Sequence, residues 1–173
     1  MPADADTGRD LPLPVSRGHF TVLDGARART LTAWCAELIP AVQGRPSAAG
    51  IGAAEYADAV CARSPASRAA LVRAVRGLDA RARQLSGQPF AECPASLRIE
   101  CLHAFEREAP DPFELVLGLA YEAYYSAPSV LAALERATGW RSSNVLTGSQ
   151  MPPFDLDLLA RVRSLPRHYR ETG

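Results

Sequence analysis

Apolar residues recur at helical spacing from the first third of the chain onward. The first clear stripe has apolar residues at i, i+3, i+4, i+7 and i+8: Leu31, Trp34, Cys35, Leu38 and Ile39. This is the period of one face of an amphipathic helix. Asp24 is placed to cap the start of that helix, and Pro40 is placed to end it. The pattern therefore predicts a first helix that ends at about Ile39.

Glycine and proline divide the following apolar pattern into two more helices. Residues 41–50 form a predicted loop of small residues, and residues 51–62 a short second helix with Tyr56 and Val60 on one side. Ser64-Pro65 restarts the chain with proline at the first helical position. The third helix that follows has a predicted buried face of four residues: Leu71, Val75, Leu78 and Leu85.

Three more helices are predicted before residue 140. Residues 94–108 carry apolar side chains at three- and four-residue spacing: Leu97, Cys101, Ala104 and Phe105. Asp111-Pro112 opens a helix with a continuous apolar face: Phe113, Val116, Leu117, Ala120, Tyr121 and Tyr124. The last of the three helices covers residues 128–138, and Gly139 is expected to end it in the left-handed backbone conformation.

The rest of the chain has little periodicity. Residues 141–153 show no pattern, and Asp155 then caps a short predicted helix with Leu156, Leu159 and Val162 on its apolar face. No segment has the alternation of a strand. We predict an all-α fold: an irregular bundle of six to seven helices, with a polar arm over residues 1–22 and one helical domain over residues 23–173. Its loop-rich C-terminal tail begins at about residue 139.

Composition and charge exclude several kinds of chemistry. The chain has 173 residues, enough for one hydrophobic core, and 31 of them are alanine, the best helix former. All 19 basic residues are arginine, so a Schiff-base lysine and a phosphate-loop lysine are excluded. Nineteen acidic residues balance them without a basic block, so we expect no nucleic-acid partner.

No apolar run is long enough to cross a membrane, and residues 1–20 have neither an apolar signal core nor a pair of adjacent arginines. We therefore expect no direct membrane insertion. The expected location is the cytoplasm, with export only if a partner carries the chain.

The cysteines do not have the spacing of a metal or redox motif. Cys35 and Cys101 fall on apolar helical faces and are expected to be buried thiols. Cys93 precedes Pro94 at a helix start, but no neighbouring base in the sequence activates it. We expect it to be an unreactive thiol.

One helical motif could hold a metal or line a pocket. Glu100 and His103 have the Glu-x-x-His spacing of di-iron bundles, but such a site needs the motif twice. The other two histidines, His19 and His168, do not supply a second copy. We predict no metal site and no catalytic residue. An alternative hypothesis places a small-molecule pocket at Glu100, His103 and Tyr121.

Gly50-Ile51-Gly52 does not complete a dinucleotide-binding motif, because Glu55 occupies the third glycine position and no strand precedes the turn. We therefore expect no cofactor bound to this chain alone.

An aromatic and proline-rich group near the end of the chain allows two interpretations. In one, Tyr121 and Tyr124 pack inside the bundle and the hydroxyl of Tyr125 binds a loop carbonyl. In the other, seven residues form an apolar surface that a partner protein covers. These predicted partner-binding residues are Tyr124, Tyr125, Pro128, Trp140, Pro152, Pro153 and Phe154.

Several segments together resemble one protein family. They are Leu38-Ile39-Pro40, Gly50-Ile51, Tyr56-Ala57-Asp58, Tyr121 to Pro128, Gly139-Trp140 and Met151 to Asp155. With these, residues 31–169 resemble the gluconate 2-dehydrogenase subunit 3 family, the small non-flavin subunits of glucose-methanol-choline class dehydrogenases.

The resemblance implies a non-catalytic subunit that binds and stabilises or matures a larger dehydrogenase subunit, which carries the FAD and acts on a sugar or an alcohol. The alternative is a stand-alone cytosolic helical protein that acts on a small molecule in its own pocket.

Overall fold

A computed structural model describes residues 7–8 and 15–140. Six α-helices lie in this part of the chain: α1 Gly25–Leu38, α2 Ala53–Cys61, α3 Pro65–Ser86, α4 Ala95–Glu108, α5 Pro110–Ser126 and α6 Pro128–Thr138. Short 3-10 helices, Ala49–Ile51 and Phe90–Glu92, precede α2 and α4. The all-α prediction is confirmed. The helix predicted after Asp155 lies outside the described residues.

Local signals set most helix ends close to where the sequence predicts them. Asp24 caps α1 by accepting a hydrogen bond from the Arg27 N–H at 3.0 Å, and Pro65 occupies the first position of α3. Gly52 lies between the first 3-10 helix and α2 with φ +85°, so α2 begins at Ala53 and not at Ile51 as predicted. Helix boundaries therefore follow from residues that cap, start or interrupt a helix.

The arm adds one small pairing that the sequence pattern does not indicate. Strand β1 Thr7–Gly8 pairs antiparallel with β2 Val15–Ser16. Each strand has two residues, too few to show the alternation by which strands are predicted. None of the helices in the described ranges combines the length and the apolar composition that a membrane span needs.

Trp34 lies in the middle of the core. Its ring is fully buried, meets Phe105 edge-on with ring centroids 5.6 Å apart, and lies 5.8 Å from the ring of Phe113. Helices α1, α4 and α5 therefore meet around one indole. Cys35 and Cys101 are buried in the same core, as predicted.

Helix α3 approaches α4 closely at Gly77. A Cβ at this position would lie 2.8 Å from Cε2 of Phe105. The ring cannot easily move away, because it is 5% exposed and packs on Trp34. Only glycine fits this approach without displacing a core aromatic ring.

Leu85 was predicted on the buried face of α3, but it is 40% exposed. Seven residues fall about 20° short of two helical turns, so Leu85 is rotated about 40° from Leu71 after two such repeats. Ala82 takes the buried position in the last turns of α3. The prediction was wrong because a seven-residue repeat drifts around a straight helix.

The arm is bound to α2 by a buried carboxylate. Asp58 is 1% exposed, and its oxygens accept hydrogen bonds from the backbone N–H groups of Thr21, Val22 and Leu23. The Thr21 hydroxyl donates to the same carboxylate at 2.9 Å. All the hydrogen bonds that the Asp58 carboxylate accepts therefore come from residues 21–23, the segment that leads into α1.

Candidate functional site

An aromatic groove lies between the end of α1, the loop after it, and the C-terminal half of α5. It has a volume of about 240 Å³. We call it the tyrosine groove, and its lining residues are Leu38, Ile39, Pro40, Val42, Arg45, Tyr121, Tyr124 and Tyr125.

Tyr124 holds the two walls of the groove together. It is 3% exposed, and its hydroxyl donates a hydrogen bond to the carbonyl oxygen of Pro46 at 3.0 Å. Burial raises the pKa of Tyr124, and the charge of Arg45 partly opposes this rise. Because α5 and the loop are joined through this hydroxyl, the groove has a fixed floor.

Tyr121 and Tyr125 form the exposed aromatic wall. They are one helical turn apart, with ring centroids 5.9 Å apart, and are 44% and 52% exposed. The Tyr125 ring also meets Tyr124 edge-on at 5.3 Å. Neither exposed hydroxyl has a hydrogen-bond partner among the described residues. Two large amphipathic rings are thus held in place but left uncovered.

A tight turn forms the opposite wall. The Arg45 N–H donates to the Val42 carbonyl at 2.9 Å, and the Val42 N–H donates back to the Arg45 carbonyl at 3.2 Å. Gly44, at the third position of the turn, has φ +78°, which glycine adopts without steric cost. Val42 and Arg45 are therefore fixed side by side, and Val42 is 46% exposed.

Arg45 is the one charged residue among those lining the groove. No carboxylate in the described part of the chain lies within ion-pair distance of its guanidinium. The acidic residue next to Tyr121 is engaged elsewhere, because Glu122 accepts a hydrogen bond from the hydroxyl of Tyr56 on α2 at 2.7 Å. Burial and the Glu122 hydrogen bond raise the pKa of Tyr56 to about 12.

The structure brings some of the predicted partner-binding residues together and separates others. Tyr124 and Tyr125 line the groove. Pro128 and Trp140 are exposed near the two ends of α6 and do not line it. Pro152, Pro153 and Phe154 lie outside the described residues. The alternative interpretation places Tyr121 and Tyr124 inside the bundle, and this is correct only for Tyr124. It also assigns the bond to a loop carbonyl to Tyr125, whereas the hydroxyl that makes such a bond is that of Tyr124.

Of the three residues of the alternative pocket, Glu100 and His103 lie on α4 and do not line the tyrosine groove, which Tyr121 does. Glu100 and His103 are exposed on α4, whose opposite face buries Cys101, Ala104 and Phe105. His103 lies 3.9 Å from Glu106, and both side chains are more than half exposed. Tyr121 belongs to the tyrosine groove on α5. Over the described ranges, no group of three or more His, Cys, Asp or Glu residues is placed to hold a metal ion.

A larger polar cleft of about 510 Å³ lies between α1 and α3. Two of its three acidic groups are already engaged: Asp24 pairs with Arg27, and Asp79 pairs with Arg83 and accepts a hydrogen bond from the Phe90 N–H at 2.9 Å. The third, Glu92, has no ion pair in the described part of the chain.

The cleft is lined by neither histidine nor cysteine nor serine. Its one hydroxyl group, that of Thr30, lies 3.4 Å from the Ala26 carbonyl and 3.5 Å from Asp79. The Asp79 carboxylate is already bound to Arg83 and the Phe90 N–H, so the cleft holds no free base beside this hydroxyl.

Sequence reasoning missed Val42 and Arg45 as parts of the site. Val42 is an apolar residue isolated in a loop of small residues, and the turn-forming Gly44 follows it closely. That combination signals an exposed hydrophobic turn. Asp58 was also missed as an anchor, although a lone aspartate in the apolar segment Tyr56 to Cys61 is itself a signal that a partner group must lie nearby.

One comparison with known proteins gives a match, and the matched residues include both walls of the groove. A family model described as gluconate 2-dehydrogenase subunit 3 matches residues 26–148, more than half of the chain. Comparison with curated proteins and with solved structures gives no match. The family match begins after the arm segment that Asp58 binds.

Proposed function

The chain belongs to the gluconate 2-dehydrogenase subunit 3 family, and from this premise we propose that it is a non-catalytic small subunit that binds an FAD-dependent dehydrogenase. The family description names a subunit of a dehydrogenase complex. The proposed partner is a larger subunit of the glucose-methanol-choline class, which carries the FAD and oxidises a sugar or an alcohol. Binding of this chain stabilises or matures that partner.

The tyrosine groove supports this proposal most directly. Its two exposed rings and Val42 form an apolar surface on rigid elements, next to the buried anchor Tyr124. Tyrosine is enriched where proteins bind one another, because it combines a large apolar area with a polar end. Pro128 and Trp140 remain part of the proposed surface as exposed groups near the ends of α6.

The size of the groove favours a protein partner over a small substrate. A volume of about 240 Å³ lies below the roughly 300–1,000 Å³ of ordinary small-molecule sites. In the larger polar cleft the one hydroxyl is that of Thr30, and the Asp79 carboxylate beside it is already paired with Arg83. A stand-alone enzyme is therefore the weaker of the two hypotheses.

Co-expression with flavoprotein subunits tests the proposal. The chain is affinity-tagged, and the recovered complex is examined for a second, larger polypeptide and for flavin absorbance. The double variant Tyr121→Ala/Tyr125→Ala should weaken the complex at least about tenfold, because an interface anchor contributes more than about 1 kcal/mol and 1.4 kcal/mol is a factor of ten.

The matched control is Leu85→Ala/Ile99→Ala, which removes two exposed apolar side chains outside the groove. This control should bind as the wild type does. Circular dichroism should show unchanged helix content in both double variants, since all four side chains are substantially exposed. Recovery of the chain alone and colourless, or equal recovery of both double variants, would argue against the proposal.

A further inference from the structure

We infer that the tyrosine groove receives a short apolar segment of the partner subunit, and that a carboxylate on this segment pairs with Arg45. This inference rests on the proposed function and adds the chemistry by which the partner is recognised. It concerns one charge on this chain, so it can fail while the proposed function stands.

The first support is the position of Arg45. The reciprocal hydrogen bonds with Val42 fix its backbone at the edge of the groove. Arg45 lines the same groove as Tyr124, and its positive charge opposes the rise in the pKa of Tyr124 that burial causes. A guanidinium beside apolar rings is suited to a planar carboxylate, because it offers paired donors and is only weakly hydrated.

The second support is that this charge is uncompensated within the described part of the chain. No aspartate or glutamate there forms an ion pair with Arg45, and Glu122, the acidic residue next to Tyr121 in the sequence, accepts a hydrogen bond from the Tyr56 hydroxyl. Arg27, Arg83 and Arg98 pair with acidic residues of this chain. Arg45 and Arg76 have no ion pair in the described part, and of these two only Arg45 lies among apolar and aromatic residues. A partner carboxylate would supply the missing opposite charge.

The third support is the balance of polar and apolar groups in the groove. Seven of the eight lining residues are aliphatic or aromatic, and one is an arginine. This composition matches an apolar segment with a single acid and disfavours a basic or uniformly polar one. The hydroxyls of Tyr121 and Tyr125 can bind the backbone of the same segment.

The test compares Arg45→Glu with Arg76→Glu in the flavoprotein complex. Both variants reverse one exposed arginine, but Arg76 lies on α3 and lines the polar cleft. We expect Arg45→Glu to weaken the complex by at least about tenfold, because it places like charges together. Arg76→Glu should leave the affinity within about twofold. Arg45→Met should remove the salt-sensitive part of the affinity and retain the apolar part.

Overlapping peptides from the partner subunit then identify the bound segment. A peptide that binds this chain should lose affinity when its aspartate or glutamate becomes the corresponding amide, and that loss should be absent in Arg45→Met.

If the complex forms but Arg45→Glu binds as tightly as wild type with the same salt dependence, this inference is wrong and the proposed function remains. If Arg45→Glu changes only self-association of the chain, the groove binds a second copy and the inference is overturned. If no flavoprotein complex forms, both proposals fail.

Discussion

The carboxylate of Asp58 accepts a hydrogen bond from the backbone N–H of Leu23 at 2.9 Å, 35 residues earlier in the chain. The same carboxylate accepts the N–H groups of Thr21 and Val22. Three successive backbone donors thus converge on one buried acid, and α2 positions the segment that leads into α1. Since α2 also packs on α5, this link connects the arm to the helix that carries the tyrosines.

Replacing Asp58 should release the arm. Asp58→Asn keeps the shape of the side chain but puts a donor amide against backbone donors, so we expect it to lower the free energy of unfolding by about 3 kcal/mol, which is the loss of one or two charge-assisted hydrogen bonds. Urea denaturation measures the change. Amide hydrogen exchange at residues 21–23 should accelerate.

Glu55→Gln is the control for this effect. Glu55 accepts the Gly18 N–H at 2.9 Å, and glutamine keeps an oxygen at that position. We expect a change of less than about 1 kcal/mol, because the hydrogen bond is exposed to solvent. Equal losses for the two variants would mean that the buried carboxylate has no special role.

Two glycines provide a test of the core packing. Gly77→Ala should lower the free energy of unfolding by about 1 kcal/mol, because the strain of about 1–3 kcal/mol at Phe105 exceeds the helix-propensity gain of about 1 kcal/mol. Gly118→Ala on α5 has open space around the new Cβ and should stabilise by about 0.5–1 kcal/mol. Thermal denaturation gives both values. If Gly77→Ala also stabilises, Phe105 has moved at little cost.

The local part of this fold could be predicted from the sequence. Asp24, Pro65 and Gly139 act on their own turns of backbone, so their effect can be read from neighbouring residues. The apolar spacing around Trp34 similarly identified the buried face of α1. Such signals need no knowledge of what lies across the core.

The arrangement of the tyrosines could not be predicted in the same way. Tyr121 and Tyr124 continue one apolar stripe, yet Tyr124 is buried and Tyr121 is exposed. The difference comes from the loop after α1, whose Pro46 carbonyl receives the Tyr124 hydroxyl 78 residues away. Contacts between segments that are distant in the sequence decide which ring is buried, and the apolar spacing within one helix cannot predict those contacts.

Thiol labelling tests whether the cysteines are inert. All four are unpaired and buried. Burial raises the pKa of Cys35 to about 12 and also raises the pKa of Cys61 and Cys101, so few of these three thiols are ionised at pH 8. We expect Ellman's reagent to react slowly with the native protein and with all four thiols in denaturant. Rapid labelling of one equivalent in the native protein, assigned to Cys93 by mass spectrometry, would contradict the predicted unreactive thiol.

Alkaline stability tests the link between Tyr56 and Glu122. Below pH 10, the ordinary pKa of a phenol, Tyr56 is protonated in both the folded and the unfolded state, so its contribution to the free energy of unfolding is complete. As pH rises towards the folded-state pKa of about 12, this contribution falls, because the unfolded chain loses the phenol proton first. Tyr56→Phe should cost about 1 kcal/mol at neutral pH and should lack this part of the alkaline loss. Urea denaturation from pH 8 to about 11 measures both effects.

Tyr125→Phe, which removes an exposed hydroxyl, should follow the wild-type curve. If Tyr56→Phe has the same alkaline slope as wild type, the phenol titrates normally and its bond to Glu122 contributes little to the packing of α2 on α5.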